Sequence, residues 1–365
     1  MALDRIWLSD FRNHRETRID GTARFNLLFG DNGAGKTNVL EAISLFAPGR
    51  GLRRAALADM PAQGGGGGFA ISARLGSGDA AVTLGTGVRA GNPGRRLVQV
   101  NGAEGPALRL AEWLSIGWLT PAMDRLFSEG AGARRRFLDR MVVAGLPGHA
   151  RAAKRLEDAL RERNRLLAAP RAPDPMWLDA IEEQIAEAGS QVATARARLV
   201  ERLQATLVAL PSGPFARPAL AYAAGGPITT DALGQALRQG RARDRAAQRT
   251  LAGPHRDELI VMLAEKDQPA SECSTGEQKA MLISIALAHA QLLQDAPAAE
   301  QRPRLLLLDE VAAHLDPVRR EALFDRLCQG RAQIWLTGTE IAPFAAIRAE
   351  TAIWRVSEGA VERVD

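Results

Sequence analysis

Phe25-Asn26-Leu27-Leu28-Phe29-Gly30-Asp31-Asn32-Gly33-Ala34-Gly35-Lys36-Thr37-Asn38 decides how the rest of the chain is read. Its first five residues form a short, mostly apolar run, and glycine punctuates the stretch from Gly30 to Gly35. Beyond it Val39, Leu40, Ile43 and Phe46 recur at helical spacing. Strand, glycine turn and helix together enclose the pattern G-x4-G-K-[ST]. Glycines let successive backbone N–H groups turn inward onto phosphate oxygens. The helix N-terminus adds partial positive charge. The Lys36 ammonium reaches β and γ phosphates, and the Thr37 hydroxyl suits Mg2+. Gly30 to Asn38 are therefore expected to hold ATP, with Lys36 also acting in catalysis. The competing reading is a glycine turn with an incidental lysine. It is weakened because only four lysines occur (Lys36, Lys154, Lys266, Lys279) among 47 basic residues.

Two further segments extend the same chemistry. Leu305-Leu306-Leu307-Leu308-Asp309-Glu310 reads as a buried parallel strand that delivers two acids at its C-terminal end. Asp309 suits the Mg2+ shell, and Glu310 suits a base that polarises the attacking water. Apolar strands often end in acids, so this segment gains its meaning from the loop at Gly30. Ser274-Thr275-Gly276-Glu277-Gln278-Lys279 precedes the apolar stretch Met281 to Leu293. Serine followed three residues later by Glu277 is a capping box.

The order and spacing of these segments resemble ABC-type ATPases, in which the third is the signature motif. The resemblance implies that Ser274, Gly276 and Glu277 face the γ-phosphate held by a second subunit. Each chain would then hold half a site, and hydrolysis would need a homodimer. It also implies that Ala313-His314-Leu315-Asp316 is a D-loop, with Asp316 reaching across the interface. Gln333-Ile334-Trp335-Leu336-Thr337-Gly338-Thr339 reads as a further strand. Many ABC heads carry a switch histidine there; this chain has none, and Thr337 and Thr339 occupy the place.

Five blocks narrow the resemblance to the RecF family of bacterial recombination mediators. They are Leu8-Ser9-Asp10-Phe11-Arg12-Asn13; Gly30 to Asn38 with Leu40-Glu41-Ala42-Ile43; Pro121-Ala122-Met123-Asp124 continuing to Arg134-Arg135-Arg136-Phe137-Leu138-Asp139; Gly253-Pro254-His255-Arg256-Asp257; and Ser274 to Lys279. Glu258, Ala122 and Met123 depart from the family pattern. The resemblance implies ATP-dependent dimerisation and slow, DNA-stimulated ATP hydrolysis. It implies binding of double-stranded DNA near junctions with single-stranded DNA, in repair, replication restart and the response to DNA damage. RecR would be a partner, acting with RecO to load RecA. The residues themselves carry the argument only to a Mg-ATP site.

The fold class expected is α/β: an ABC-type P-loop ATPase head with a mixed sheet, an antiparallel β subdomain and a helical second lobe. Residues 1–108 form the first ATPase part, 109–250 a helical lobe or short arm, and 251–365 the C-terminal ATPase part. Alternation from Phe69 to Val100, ending in Asn101-Gly102, predicts an antiparallel meander. Leu110 to Leu210 looks helical, with a seam of Ile181, Ile185, Ala188, Val192, Ala195 and Leu199. An earlier helix over Arg151 to Leu167 and a proline-rich link suggest a short helical hairpin; two helices of a small bundle fit equally. Arg134, Arg135 and Arg136 cannot all face a core, and Arg241 and Arg243 lie in a second cluster. These five are DNA-binding candidates, set against an ordinary solvated face.

Composition agrees without deciding. The 365 residues are 46% hydrophobic and 24% charged, with a net charge of +5 and an isoelectric point of about 9.8. That balance is weak support for a polyanionic partner. Cys273 and Cys328 match no zinc spacing. The first residues do not read as a signal peptide, and no apolar run is long enough to span a bilayer. The chain is placed in the cytoplasm, with no membrane association. A chromosome-tethering head would need far more heptads between its halves, and a transporter ATPase would leave the Gly253 to Asp257 block unexplained. A nuclease-linked head would need a further metal-carboxylate domain.

Overall fold

A computed structural model describes residues 3–76, 78–171, 173–211, 213–297, 302–312 and 315–364. The chain opens with β1 (Leu3–Phe11), β2 (His14–Asp20) and β3 (Phe25–Phe29), and β3 enters α1 (Lys36–Ser44) through the glycine loop. β4 (Phe69–Leu75), β5 (Val82–Val88), β6 (Arg96–Val100) and β7 (Ala103–Glu104) follow as the expected meander. Asn101 and Gly102 between β6 and β7 have φ of 50° and 80°, as a tight I′ turn demands. These strands join β1 and β2 in a six-stranded antiparallel sheet, ordered β2-β1-β4-β5-β6-β7. A register shift between Leu3 and Arg5 lets both Leu3 and Ile6 face inward.

After α2 (Leu110–Trp113) comes β8 (Ser115–Leu119). The chain then builds a second unit, considered below, and returns with β12 (Arg304–Leu308), α9 (Pro317–Gln329), β13 (Gln333–Gly338), β14 (Thr351–Ser357) and β15 (Ala360–Arg363). These make a second sheet ordered β15-β14-β3-β13-β12-β8, parallel except for the β14–β15 hairpin. Its central strands are buried on both faces, which explains their unbroken apolar sequence. One core joins both sheets to α1: Ile6, Leu8, Val39, Ile43, Phe46, Leu305, Trp335 and Trp354 all belong to it. α1 is thus held between the two sheets, with the glycine loop at its N-terminal end.

The second unit, residues 125–292, contains α3 (Ala131–Gly145), α4 (Gly148–Leu167), α5 (Pro175–Ala209), β9 (Pro218–Ala223), α6 (Thr230–Gln239), α7 (Arg241–Ala246), β10 (Glu258–Leu263), β11 (Gln268–Pro269) and most of α8 (Thr275–Gln294). Pro175 opens α5, and Asp174 caps it by accepting from Met176 N. Leu156 and Leu160 of α4 share a core with Ile181, Ile185, Ala188 and Val192 of α5 and Leu233 and Leu237 of α6. With α6 in that core, α4 and α5 are helices of a small bundle as well as a hairpin. The seam departs from expectation at one place: Ala195 is half-buried and Arg196 is buried instead.

The expected boundaries at 108 and 250 are corrected by this division. Residues 1–124 and 293–365 make one unit, and 125–292 the other. Within the stretch that looked wholly helical, β8 is a strand of the second sheet. Its partner is β12, paired from Arg304↔Ser115 to Leu308↔Leu119, so no local period reveals it. Conversely, residues 251–292 pack with the helices, because β10 pairs antiparallel with β9 along its whole length. β9 lies in a glycine- and proline-rich stretch that gives no strand signal. Among the described residues, no helix is long and apolar enough to cross a membrane.

Candidate functional site

The glycine loop is shaped by what packs against its outside. Gly35 has φ 117°, and a Cβ there would lie 2.8 Å from the Asn13 amide and from His14 Nε2. A Cβ on Gly30 would lie 2.1 Å from Val356 O of β14. Both positions therefore require glycine. Asp31, Asn32 and Gly33 are exposed at the loop's tip, while Ala34, Gly35 and Lys36 are buried. Lys36 Nζ donates to Gly30 O at 2.6 Å and Asp31 O at 2.8 Å. Burial pushes the Lys36 pKa down, and Glu310, Asp309 and Asp31 oppose that shift. An ammonium among three carboxylates at the mouth of a backbone N–H nest is suited to receiving phosphate.

Thr37, the second residue of α1, donates its hydroxyl to Asp309 Oδ1 at 2.8 Å. The acid at the end of β12 thus meets the loop at the end of β3, as the two motifs require. Burial raises the Asp309 pKa; hydrogen bonds from Thr37 and Thr337 and the charge of Arg53 pull the other way, and Glu310 adds to the rise. A hydroxyl and a carboxylate side by side are the hard oxygen donors that Mg2+ takes alongside phosphate and water. Glu310 has φ 54°, a left-handed conformation that costs a non-glycine residue roughly 1–2 kcal/mol. Thr337 supports it: its Oγ1 accepts from Glu310 N at 2.8 Å and donates to Asp309 Oδ1 at 2.9 Å. The threonine at the place of the switch histidine is therefore buried behind the acids. It acts on them directly.

In the second unit, Ser274 forms the expected capping box. Its N and Oγ donate to Glu277 Oε2 at 2.9 and 2.8 Å, and Glu277 N returns a bond to Oγ at 3.3 Å. Lys266 Nζ reaches Glu277 Oε1 at 2.5 Å. Lys266 and Ser274 together hold the Glu277 carboxyl down at about 2. A Cβ on Gly276 would meet nothing within 4 Å, so the chain's own packing does not ask for glycine there. Asp316 caps α9 by accepting from Arg319 N at 3.0 Å. Ala313 and His314 of the expected D-loop lie outside the described residues.

The arginine candidates divide. Arg134 makes a bidentate pair with Glu258, at 2.7 and 3.0 Å, and Arg135 donates to Asp257 O at 2.7 Å. Arg241 is paired with Glu182 and Asp179. Carboxylates of the chain already pair with Arg134 and Arg241, so a DNA phosphate would have to compete with an existing ion pair at each. Arg136 and Arg243 are exposed.

Several residues around the site had no structural role read from the sequence, although Arg12, Asn13 and Glu41 stand in the family blocks. Arg12 holds Glu41 of α1 with two bonds, at 2.9 and 2.8 Å, and Arg53 reaches the same carboxylate at 3.1 Å. Asn38 donates to Asn13 Oδ1 at 2.6 Å. Glu41 is wholly buried. A carboxylate amid the apolar residues of α1 was a hint that cations must cover it. Arg96 clasps the other end of α1 through the carbonyls of Leu45 and Gly49, and burial lowers its pKa to about 10. Two of the family blocks, Arg134 to Asp139 and Gly253 to Asp257, meet in the second unit. Arg196 binds Asp139 of the first, at 2.8 Å twice, and Asp257 and Pro254 O of the other, at 2.8 and 2.6 Å.

Comparison with known proteins places these features in a family. Residues 2–351 match the model of the RecF/RecN/SMC N-terminal domain. The chain is 46% identical to the DNA replication and repair protein RecF of Mesorhizobium japonicum, covering 98% of this chain and 97% of that one. It is 44% identical to RecF of Caulobacter vibrioides over 100% and 98% of the two chains. A solved structure described as the recombination mediator protein RecF-ATPrS in the RecFOR pathway has the same fold. It gives a TM-score of 0.84 at 20% identity, covering 100% of this chain and 98% of that one. An SMC head bound to the C-terminal winged-helix domain of ScpA matches less closely, with a TM-score of 0.52 at 16% identity over 100% and 97%.

Proposed function

Because the chain belongs to the RecF family of DNA replication and repair proteins, we propose that it is an ATP-operated DNA-binding factor of recombinational gap repair and replication restart. It works in the cytoplasm as a homodimer that closes around ATP and Mg2+ on double-stranded DNA beside a single-stranded stretch. RecR and RecO assist, and RecA is loaded there. The observation that carries this reading is the contact of Thr37 with Asp309, which joins a phosphate loop to an acidic strand 272 positions away.

Lys36 exchanges the loop carbonyls for the β and γ phosphates, and the loop N–H groups from Gly30 to Asn38 surround the phosphate oxygens. Thr37 and Asp309 would hold Mg2+, which would neutralise charge on the phosphate oxygens. Glu310 accepts a proton from the attacking water, its backbone N–H held by the Thr337 hydroxyl. The partner's Ser274 and Gly276 close over the γ-phosphate, with Glu277 and Asp316 of the same protomer supporting them. The open space at Gly276 supports this, since the packing of its own chain gives no reason for a glycine there. Hydrolysis is slow and stimulated by DNA, because the site is complete only in the closed dimer. The exposed Arg136 and Arg243 supply phosphate contacts to DNA.

Sedimentation of the wild type and Lys36→Ala, with and without Mg-ATP and duplex DNA, tests the proposal. The wild type should pass from monomer to dimer only with nucleotide, and Lys36→Ala should stay monomeric. A wild-type chain that remains monomeric with Mg-ATP and DNA defeats the reading.

A further inference from the structure

The carbonyl groups of the phosphate loop need donors of their own. A nest that aims its N–H groups inward turns its carbonyls outward, and a buried carbonyl is rarely left without a partner. Ala34 O is met by Asn13 Nδ2 at 2.9 Å and by Gly359 N at 3.0 Å. Gly35 O is met by His14 Nε2 at 3.1 Å. The His14 ring is wholly buried. Its Nδ1 stands 2.9 Å from Thr17 Oγ1, which also reaches Gly359 O at 2.9 Å.

Hydrogen counting along this chain limits the state of the ring. Gly35 O can only accept, so Nε2 carries a hydrogen. Thr17 has one hydroxyl hydrogen for two acceptors, Gly359 O and an unprotonated Nδ1. A neutral ring leaves one of these without a donor, and a doubly protonated ring satisfies every contact. Burial nevertheless pushes the His14 pKa below its usual value, against the hydrogen bonds to Gly35 and Gly359. A triphosphate on the loop N–H groups brings negative charge to the far side of the same peptide units, which favours the charged ring.

We infer that His14 is a positioning residue that holds the Gly35 carbonyl outward and takes up a proton when a nucleoside triphosphate enters the loop. The inference rests on the functional reading above for the presence of that triphosphate. The groups that face the ring are the Thr17 hydroxyl on β2, the Gly35 carbonyl before Lys36, the Gly359 carbonyl after Glu358, and the adjoining Asn13 amide. The sign follows from linkage. Nucleotide raises a ring pKa that is low in the free chain, so affinity is greatest at acid pH and falls as pH climbs between the two values. Each pKa unit of that rise corresponds to about tenfold in affinity.

The chain has five histidines, so their imidazole resonances can be followed individually in the full chain. The titration is run with and without Mg2+ and a non-hydrolysable ATP analogue. His14→Gln assigns the resonance and keeps a side-chain N–H donor for Gly35 O without a titrating ring. One ring, missing from His14→Gln, should titrate at higher pH when the analogue is bound. Calorimetry in buffers of different ionisation enthalpy should show more proton uptake by the wild type than by His14→Gln, the nucleotide's own titration being common to both. His14→Gln should also bind more tightly than His14→Ala. An unmoved His14 titration, equal proton uptake, or no advantage of glutamine over alanine overturns the inference. Failure of the wild type to bind the analogue overturns the functional reading and this inference with it.

Discussion

Thr337 is the residue on which the two acids depend most directly. Its hydroxyl gives its hydrogen to Asp309 and receives one from the backbone of Glu310. We predict that Thr337→Val, which keeps the shape and loses both bonds, lowers single-turnover ATP hydrolysis at least tenfold while nucleotide affinity changes little. The orphaned Glu310 N–H should also cost about 1–3 kcal/mol of stability. Hydrolysis at the wild-type rate would show that Glu310 is held by other means. At this scale the sequence is readable where chemistry is local. Lys36, Thr37, Asp309 and Glu310 stand in short motifs whose residue types explain themselves. Arg12, Asn13, His14 and Arg53 do not, because each acts on a loop or helix that it meets only after the β1–β2 turn and the chain following α1 have folded back.

Among elements, the junction of α3, α5 and the turn before β10 shows what a family block can do. The sequence placed Arg134 to Asp139 and Gly253 to Asp257 among the family blocks without saying why. Their meeting point, Arg196, sits in an apolar seam where a heptad reading puts Ala195. We predict that Arg196→Leu lowers stability by roughly 3–5 kcal/mol, since it strands two carboxylates, and a denaturant melt measures it. A pH effect accompanies it. Burial alone would raise Asp139, but hydrogen bonds from His149 and Arg196 outweigh it and hold the carboxyl at about 2. A depressed folded value means stability that is present above the unfolded pKa of 3.8 and is lost as pH falls through about 2. The contribution is on the order of 2 kcal/mol. Asp139→Asn should therefore show a shallower loss of stability between these values than the wild type; identical acid curves would refute this. β8 was missed for a different reason: its partner β12 is nearly two hundred residues on, beyond the reach of any local period.

Over the whole molecule, electrostatics gives the sharpest test of DNA binding. Arg136 and Arg243 keep their charges exposed, Arg243 approaching Asp244 only at 3.9 Å, whereas Arg134 and Arg241 are held closely by carboxylates. We predict that Arg136→Ala and Arg243→Ala each flatten the slope of log affinity for duplex DNA against log salt by about one unit. A slope unchanged in both variants would move the DNA surface elsewhere. The fold class was legible because the three motifs recur in a fixed order. The division of the chain was not, because its boundaries at Asp124 and Leu293 fall inside continuous polar and helical sequence. That division has a consequence for synthesis. β3 leaves the ribosome early, yet both its neighbours in the sheet, β13 and β14, are translated only after the whole of 125–292. The stretch 125–292 carries all of its own strand partners and can mature on the nascent chain. The phosphate loop cannot take its final form until the closing residues emerge, so a stalled or shortened message yields a folded insert on an idle, unfinished head.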